Sequence, residues 1–172
     1  MSFSASARRV RDQTQPFGRR VMCLHECLEQ FNLFGFEATR GRLRIMVGAT
    51  RQGWTDNQLL DALDVLEEAR QSWARFATAD LAQSMAAKRL DRNHRGPSQL
   101  ELRRVWLEGY LSGTRAVAWG VADLGECTKC EHLLIHHGSR RGCAACWASP
   151  DIDWDSRCRR RIPAFRRPSP HP

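Results

Sequence analysis

The chain has 172 residues, 42% of them hydrophobic, and a formal net charge of +8. This length allows one domain of ordinary size or a smaller domain with an appendage, and the hydrophobic content excludes wholesale disorder. No apolar run reaches the roughly 18 residues that a membrane-spanning helix needs, and the first residues contain no apolar signal core. We therefore expect a cytoplasmic protein without a membrane partner.

Arginine outnumbers lysine by 25 to 2 in this chain. Such usage is typical of GC-rich genomes, and it indicates a bacterial or phage protein. The charge is uneven, because residues 55–69 carry five acidic side chains and no basic one, whereas basic residues concentrate towards both ends. Residues 1–18 are mostly polar and contain Arg8, Arg9 and Arg11, and this pattern predicts a flexible basic arm.

Residues 19–124 are predicted to form a helical domain. Apolar residues recur at helical spacing from about residue 19 to residue 34. Residues 39–54 fit a short strand or one face of a helix equally well, and the lack of a neighbouring strand pattern favours the helix. Cys23 and Cys27 lie one helical turn apart, where burial as small apolar residues is favoured over a second metal site.

Two capping boxes predict the starts of two further helices. Thr55 with Gln58 begins the acidic helix, which is predicted to run to about residue 90 because no Gly or Pro interrupts it. Ser98 with Glu101 begins a second helix, which is predicted to continue to about residue 123. The fold class that follows is mainly α.

The C-terminal part contains two Cys-x2-Cys pairs, Cys127 with Cys130 and Cys143 with Cys146, separated by twelve residues. A Cys-x2-Cys turn directs two sulfurs at one point, and two such turns together form the tetrahedral four-sulfur site that Zn²⁺ prefers. The pattern therefore predicts one structural Zn²⁺ bound by these four cysteines. The stretch resembles the zinc-ribbon and zinc-knuckle class over residues 125–150, and this resemblance implies a metal-held scaffold rather than a substrate site.

Three alternatives to the four-cysteine zinc site stay open. The cysteines can form disulfides or stay as free thiols, and four thiolates also suit iron. His136 or His137 can replace one of the cysteines, because imidazole is a good zinc ligand. The sequence assigns no role to Cys158.

Residues 151–172 are predicted to form a basic, Pro-rich tail without regular structure. Residues 125–150, hereafter the metal module, and this tail together supply the positive charge typical of nucleic-acid-binding proteins. Guanidinium groups suit this role because they donate paired hydrogen bonds to phosphate. The sequence therefore favours a non-enzymatic nucleic-acid-binding accessory or regulatory protein. The candidate phosphate contacts are Lys129, Arg140, Arg141, Arg157, Arg159, Arg160 and Arg161.

Two other functions are weighed against nucleic-acid binding. The first is a zinc-stabilised protein-interaction module, in which the acidic helix or Trp147 and Trp154 contact a protein partner. The second is a zinc nuclease of the His-Asn-His type, with His136 and His137 between the cysteine pairs. The nuclease is disfavoured, because twelve residues cannot hold the body of such a site and four thiolates leave the metal no open position.

Overall fold

The computed structural model describes residues 2–50, 53–90, 96–121, 127–130, 134, 137–138, 142–143 and 157–159. Within these ranges the chain is mainly helical, as the sequence predicts. The helices are α1 (Phe3–Arg11), α2 (Phe17–Gln30), α3 (Phe36–Met46), α4 (Asp56–Leu90), α5 (Gln99–Tyr110) and α6 (Thr114–Ala118), and an antiparallel pair joins β1 (His137–Gly138) to β2 (Gly142–Cys143). Of the helices in this part of the chain, none combines the length and apolar character that crossing a membrane requires.

The first helix, α1, lies where the sequence analysis expected a flexible arm over residues 1–18. Its buried side chains, Phe3, Ala7 and Val10, recur at intervals of three and four residues and join the hydrophobic core. Burial of this face offsets the conformational entropy that the segment loses on becoming helical. The expectation of flexibility was therefore wrong for residues 3–11, because the arginines between these positions disguise an amphipathic helix.

The second and third helices are joined by a turn that a single threonine closes. The hydroxyl of Thr39 accepts hydrogen bonds from the backbone N–H groups of Leu33 and Phe34, both at 3.1 Å. Thr39 is itself buried, so these bonds satisfy two donors that would otherwise be left without partners in the core. The prediction that residues 39–54 favour a helix over a strand is confirmed over the range of α3.

The longest helix, α4, spans 35 residues, or about 52 Å at 1.5 Å per residue. Thr55 and Gln58 make the two reciprocal hydrogen bonds that the capping box predicts at its start. The first half of α4 buries a leucine-rich face in the core, whereas in the second half Leu81 and Met85 are 60% and 53% exposed. The first half of α4 is therefore the part that organises the domain.

The carboxylates on the first half of α4 bind arginines of this same chain. Arg11 of α1 donates to both oxygens of Glu67, at 2.8 and 2.9 Å, and to Asp64 at 2.6 Å. Arg115 of α6 pairs with Glu68 at 2.9 Å. Several carboxylates of the acidic helix are thus occupied by intramolecular partners.

Buried arginines also connect helices through backbone carbonyl groups. Arg20 of α2 is 3% exposed; its Nε donates to the carbonyl of Val10 at 2.7 Å, and its Nη1 binds Asp56 at 2.5 Å. Arg42 of α3 donates to the carbonyls of Trp119 and Gly120, both at 2.7 Å. A buried guanidinium needs several acceptors, and the ends of α1 and α6 provide carbonyls that no helical N–H satisfies.

The helix expected to run from Ser98 to about residue 123 is instead two helices. The capping box of Ser98 and Glu101 is present and begins α5, so that part of the prediction is confirmed. The chain turns between Tyr110 and Thr114, where Gly113 adopts a φ of +58°. This left-handed conformation favours glycine and ends the α-helical run, so the prediction of one continuous helix was wrong.

Replacing Arg20 by Ala removes the buried guanidinium and leaves the carbonyl of Val10 without its charged donor. We expect a loss of about 1–3 kcal/mol in the free energy of unfolding, the typical cost of an unsatisfied buried group. The measurement is urea unfolding followed by far-UV circular dichroism. The matched control is Arg19→Ala, one residue earlier on α2 and exposed; equal midpoints for the two variants would contradict the structural role given to Arg20.

Candidate metal centre

Three cysteines and one histidine converge in the C-terminal part of the chain. The three Sγ atoms of Cys127, Cys130 and Cys158 and a ring nitrogen of His137 all lie within 4.8 Å of one another. Cys127, His137 and Cys158 are fully or almost fully buried, and Cys130 is half-buried. These four residues, hereafter the Cys3His cluster, lie close enough to hold a metal ion.

The separations within the Cys3His cluster match a tetrahedral metal site. Bond lengths of about 2.3 Å to sulfur and 2.0–2.1 Å to nitrogen place two sulfurs about 3.8 Å apart and a sulfur and a nitrogen about 3.6 Å apart. The Sγ atoms of Cys127 and Cys158 are 3.9 Å apart, and Cys130 Sγ is 3.5 Å from His137 Nε2. A disulfide would need about 2.05 Å between its sulfurs, well below the 3.9 Å between Cys127 and Cys158.

The first two ligands come from one tight turn. The backbone N–H of Cys130 donates to the carbonyl of Cys127 at 3.3 Å, and the N–H of Lys129 points to the Sγ of Cys127 at 3.5 Å. Burial alone would raise the pKa of Cys127, but hydrogen bonds from these N–H groups and from the thiols of Cys130 and Cys158 outweigh it and lower the pKa to about 7. The turn therefore favours the thiolate, which is the form that binds metals.

The other two ligands are held together through the short strand pair. His137 of β1 lies directly opposite Cys143 of β2 in the antiparallel register. The N–H of Cys143 in turn donates to the carbonyl of Cys158 at 2.9 Å, which docks residues 157–159 beside β2. Cys127, Cys143 and Cys158 form one buried cluster, on which Leu134 packs. Backbone pairing thus brings His137 and Cys158 to the same place.

The four cysteines predicted as zinc ligands do not all lie in the Cys3His cluster. Cys127 and Cys130 belong to the Cys3His cluster, and Cys143 is buried beside it. Cys146 lies outside the described residues, so the predicted four-cysteine set stays a prediction. His137 occupies the position that the sequence analysis gave to a histidine replacing one cysteine.

Cys158 is the candidate ligand that the sequence did not reveal. It was assigned to the basic tail over residues 151–172 because it has no Cys-x2-Cys partner and lies within a run of arginines. The cysteine count alone draws attention to it. Of the seven cysteines, four form the two Cys-x2-Cys pairs and Cys23 and Cys27 lie in a helix, so one is left unassigned. Long-range pairing with β2 determines its position, and no local pattern encodes that pairing.

The predicted nucleic-acid contacts fall partly within the described residues. Lys129 and Arg159 are exposed, and Arg157 is half-buried. All three are next to a member of the Cys3His cluster in the chain, so they lie on the surface of the metal module. The other four predicted contacts, Arg140, Arg141, Arg160 and Arg161, lie outside the described residues.

The cysteine pair on α2 is part of the helical core. Cys23 and Cys27 are buried among leucines, and the Sγ of Cys27 donates to the carbonyl of Phe3 at 3.8 Å. Burial raises the pKa of Cys27 to about 12. A thiol that stays protonated at neutral pH is a poor metal ligand, so these two residues act as small apolar side chains.

Single substitutions distinguish the Cys3His cluster from the four-cysteine set. Cys158→Ser and His137→Ala should each lower the metal affinity by more than the roughly 10–100-fold that loss of an outer-shell partner costs, because each removes a direct ligand. The matched control is Cys146→Ser, which should lower the metal affinity by no more than about 10–100-fold. The measurement is competition with a chromophoric chelator. A large loss for Cys146→Ser together with unchanged binding by Cys158→Ser would instead support the four-cysteine set.

Metal removal should disorder the C-terminal module and leave the helices folded. Among the described residues, the buried cluster at the candidate metal site consists of three cysteines with Cys130 and Leu134 packed on it, so we expect a bound ion to supply most of the folding energy there. The helical core is a separate cluster that extends from Phe3 to Val121. After chelation we expect rapid proteolysis beyond about residue 121 and nearly unchanged helical circular dichroism. Simultaneous loss of both signals would contradict this separation.

Comparison of the chain with protein-family models, with curated proteins and with solved structures finds no match. The functional argument therefore depends on the geometry of the Cys3His cluster and on the charges that surround it.

Proposed function

We propose that the protein is a non-enzymatic nucleic-acid-binding protein whose C-terminal module folds around one structural zinc ion. The observation that carries this proposal is the position of basic residues beside the candidate metal ligands. Lys129 precedes Cys130, and Arg157 and Arg159 lie on either side of Cys158. A metal ion at this site therefore holds positive charges from two distant parts of the chain on one small module.

Zinc is favoured over other metals by the ligand set. Three sulfurs and one imidazole are a common ligand set for structural zinc. The separations of 3.9 Å between the two sulfurs and 3.5 Å between sulfur and nitrogen match those expected from zinc bond lengths. Iron–sulfur clusters are held most often by four thiolates, and the hard cations Mg²⁺ and Ca²⁺ prefer oxygen ligands. Four protein ligands occupy every position of a tetrahedral zinc ion, which supports a structural rather than a catalytic role.

The charge around the module supports a polyanionic partner. Residues 127–172 carry nine Lys or Arg against four Asp or Glu. In the helical domain, by contrast, several arginines bind carboxylates and backbone carbonyls of the chain itself, as Arg11, Arg20 and Arg42 do. Much of the positive charge available to a phosphate backbone is therefore concentrated at the C-terminal module.

Loss of exposed charges on the module should weaken nucleic-acid binding and its dependence on salt. We expect Lys129→Gln with Arg159→Gln to reduce affinity for duplex and single-stranded oligonucleotides of any sequence. The slope of log affinity against log salt should become shallower by roughly 0.7–0.9 per lost phosphate contact. The measurement is fluorescence anisotropy over a salt series. The matched control is Arg19→Gln with Arg75→Gln, which removes two exposed charges from the helical domain.

Two results would contradict the proposal. One is the absence of binding by the metal-loaded wild-type protein near roughly 50 mM salt, where phosphate contacts are strong. The other is an equal loss of affinity in the control, since that would indicate diffuse attraction to the whole chain. Zinc content, measured on every variant, shows whether the substitutions leave the metal in place.

A protein-interaction module is the second candidate function, and one observation favours it. Leu81 and Met85 on the second half of α4 and Leu100 on α5 are more than half exposed. Apolar side chains of this size are typical of surfaces that bind other proteins. The acidic first half of α4 is a poorer candidate for such a surface, because its carboxylates already bind arginines of the chain.

A further inference from the structure

We propose that the groove between α1 and α4 binds the phosphate group of a small molecule. The groove has a volume of about 260 Å³, just below the roughly 300–1,000 Å³ typical of drug-sized ligands, which suits a small ligand. It lies in the helical domain and shares no residue with the metal module, so this proposal does not depend on nucleic-acid binding. The lining residues that carry the argument are Phe3, Ser4, Arg8, Arg11, Arg70 and Gln71.

The charges that line the groove favour an anion. Three arginines and one glutamate line it. Glu67 accepts two hydrogen bonds from Arg11, which also binds Asp64, so the charge of Arg11 is already balanced by neighbouring carboxylates. Arg8 and Arg70 form no ion pair with any residue in the described part of the chain. These two guanidinium groups therefore determine the sign of the charge that a ligand meets.

One of the two guanidinium groups is held in position before any ligand binds. The Cζ of Arg70 lies over the ring of Phe3, 4.6 Å from its centroid. Phe3 is 4% exposed and belongs to the core, so the ring is a fixed support. A guanidinium that rests on an aromatic ring can keep the N–H groups in its own plane available to hydrogen-bond acceptors. Binding then costs less side-chain entropy than it would for a freely moving arginine.

Phosphate fits this arrangement better than carboxylate does. A phosphate monoester carries a charge of about −1.5 to −2 at neutral pH and three acceptor oxygens, which suits two guanidinium forks. Ser4 and Gln71 add neutral hydrogen-bonding groups along the same groove. A carboxylate offers one charge and two oxygens, and it would leave one guanidinium without a charged partner.

The test is a titration of the full-length, metal-loaded protein, followed by the backbone amide signals of Arg8 and Gln71 in ¹H–¹⁵N spectra. Inorganic phosphate, phenyl phosphate and acetate are added separately at constant ionic strength. We expect saturable shifts with both phosphates, and weaker or no binding of acetate. Arg8→Gln and Arg70→Gln should each weaken phosphate binding on the order of tenfold, because each removes one charged hydrogen-bonding group.

The matched control for both substitutions is Arg75→Gln, which removes an exposed arginine of α4 that does not line the groove. It should leave the phosphate affinity unchanged. Arg8→Gln leaves the contact between Arg70 and Phe3 intact. It therefore still tests phosphate binding if Arg70→Gln has a folding defect.

Three results would overturn the proposal: no saturable shift up to about 10 mM phosphate, equal weakening by Arg75→Gln, or acetate binding as tightly as phosphate. The affinity for oligonucleotides, measured on the same variants, should not change, which separates the groove from the function proposed for the metal module.

Discussion

The first half of α4 is the element on which the helical domain depends, and electrostatic pairing joins it to its neighbours. Arg11 of α1, Arg20 of α2 and Arg115 of α6 each bind a carboxylate on α4. Exposed ion pairs contribute little singly, so the leucine face of α4 supplies most of the stability. The arginines add a preference for the orientation in which α1, α2 and α6 lie relative to α4, since opposite charges meet at these positions.

Much of the helical fold could be predicted from local pattern, and the two errors have different causes. The capping boxes at Thr55 and Ser98 are local signals, and both helices begin where those signals lie. In α1 the arginines hide a helical pattern that is present in the sequence, and at Gly113 a positive φ ends the helical run. A segment with three arginines becomes helical because Phe3 finds a buried place, and a glycine compatible with a helix turns the chain instead.

The candidate metal centre shows the same division between local and long-range information. Cys127 and Cys130 could be identified from spacing alone, because one turn brings their sulfurs together. His137 could be named only as an alternative, and Cys158 not at all, because their approach depends on the pairing of β1 with β2 and of β2 with residues 157–159. Spacing thus predicts a metal, whereas only the folded chain shows which of the described cysteines and histidines lie within reach of one another.

The position of Cys158 has a consequence for the order in which the protein matures. This residue lies 31 positions after Cys127, its neighbour in the Cys3His cluster. During synthesis Cys127, Cys130 and His137 leave the ribosome before Cys158, so an ion taken up at that stage would find only three of the four candidate ligands. The fourth would become available only after Cys158 has emerged from the exit tunnel. An ion acquired early would therefore remain exchangeable with cellular buffers until translation has passed the last ligand.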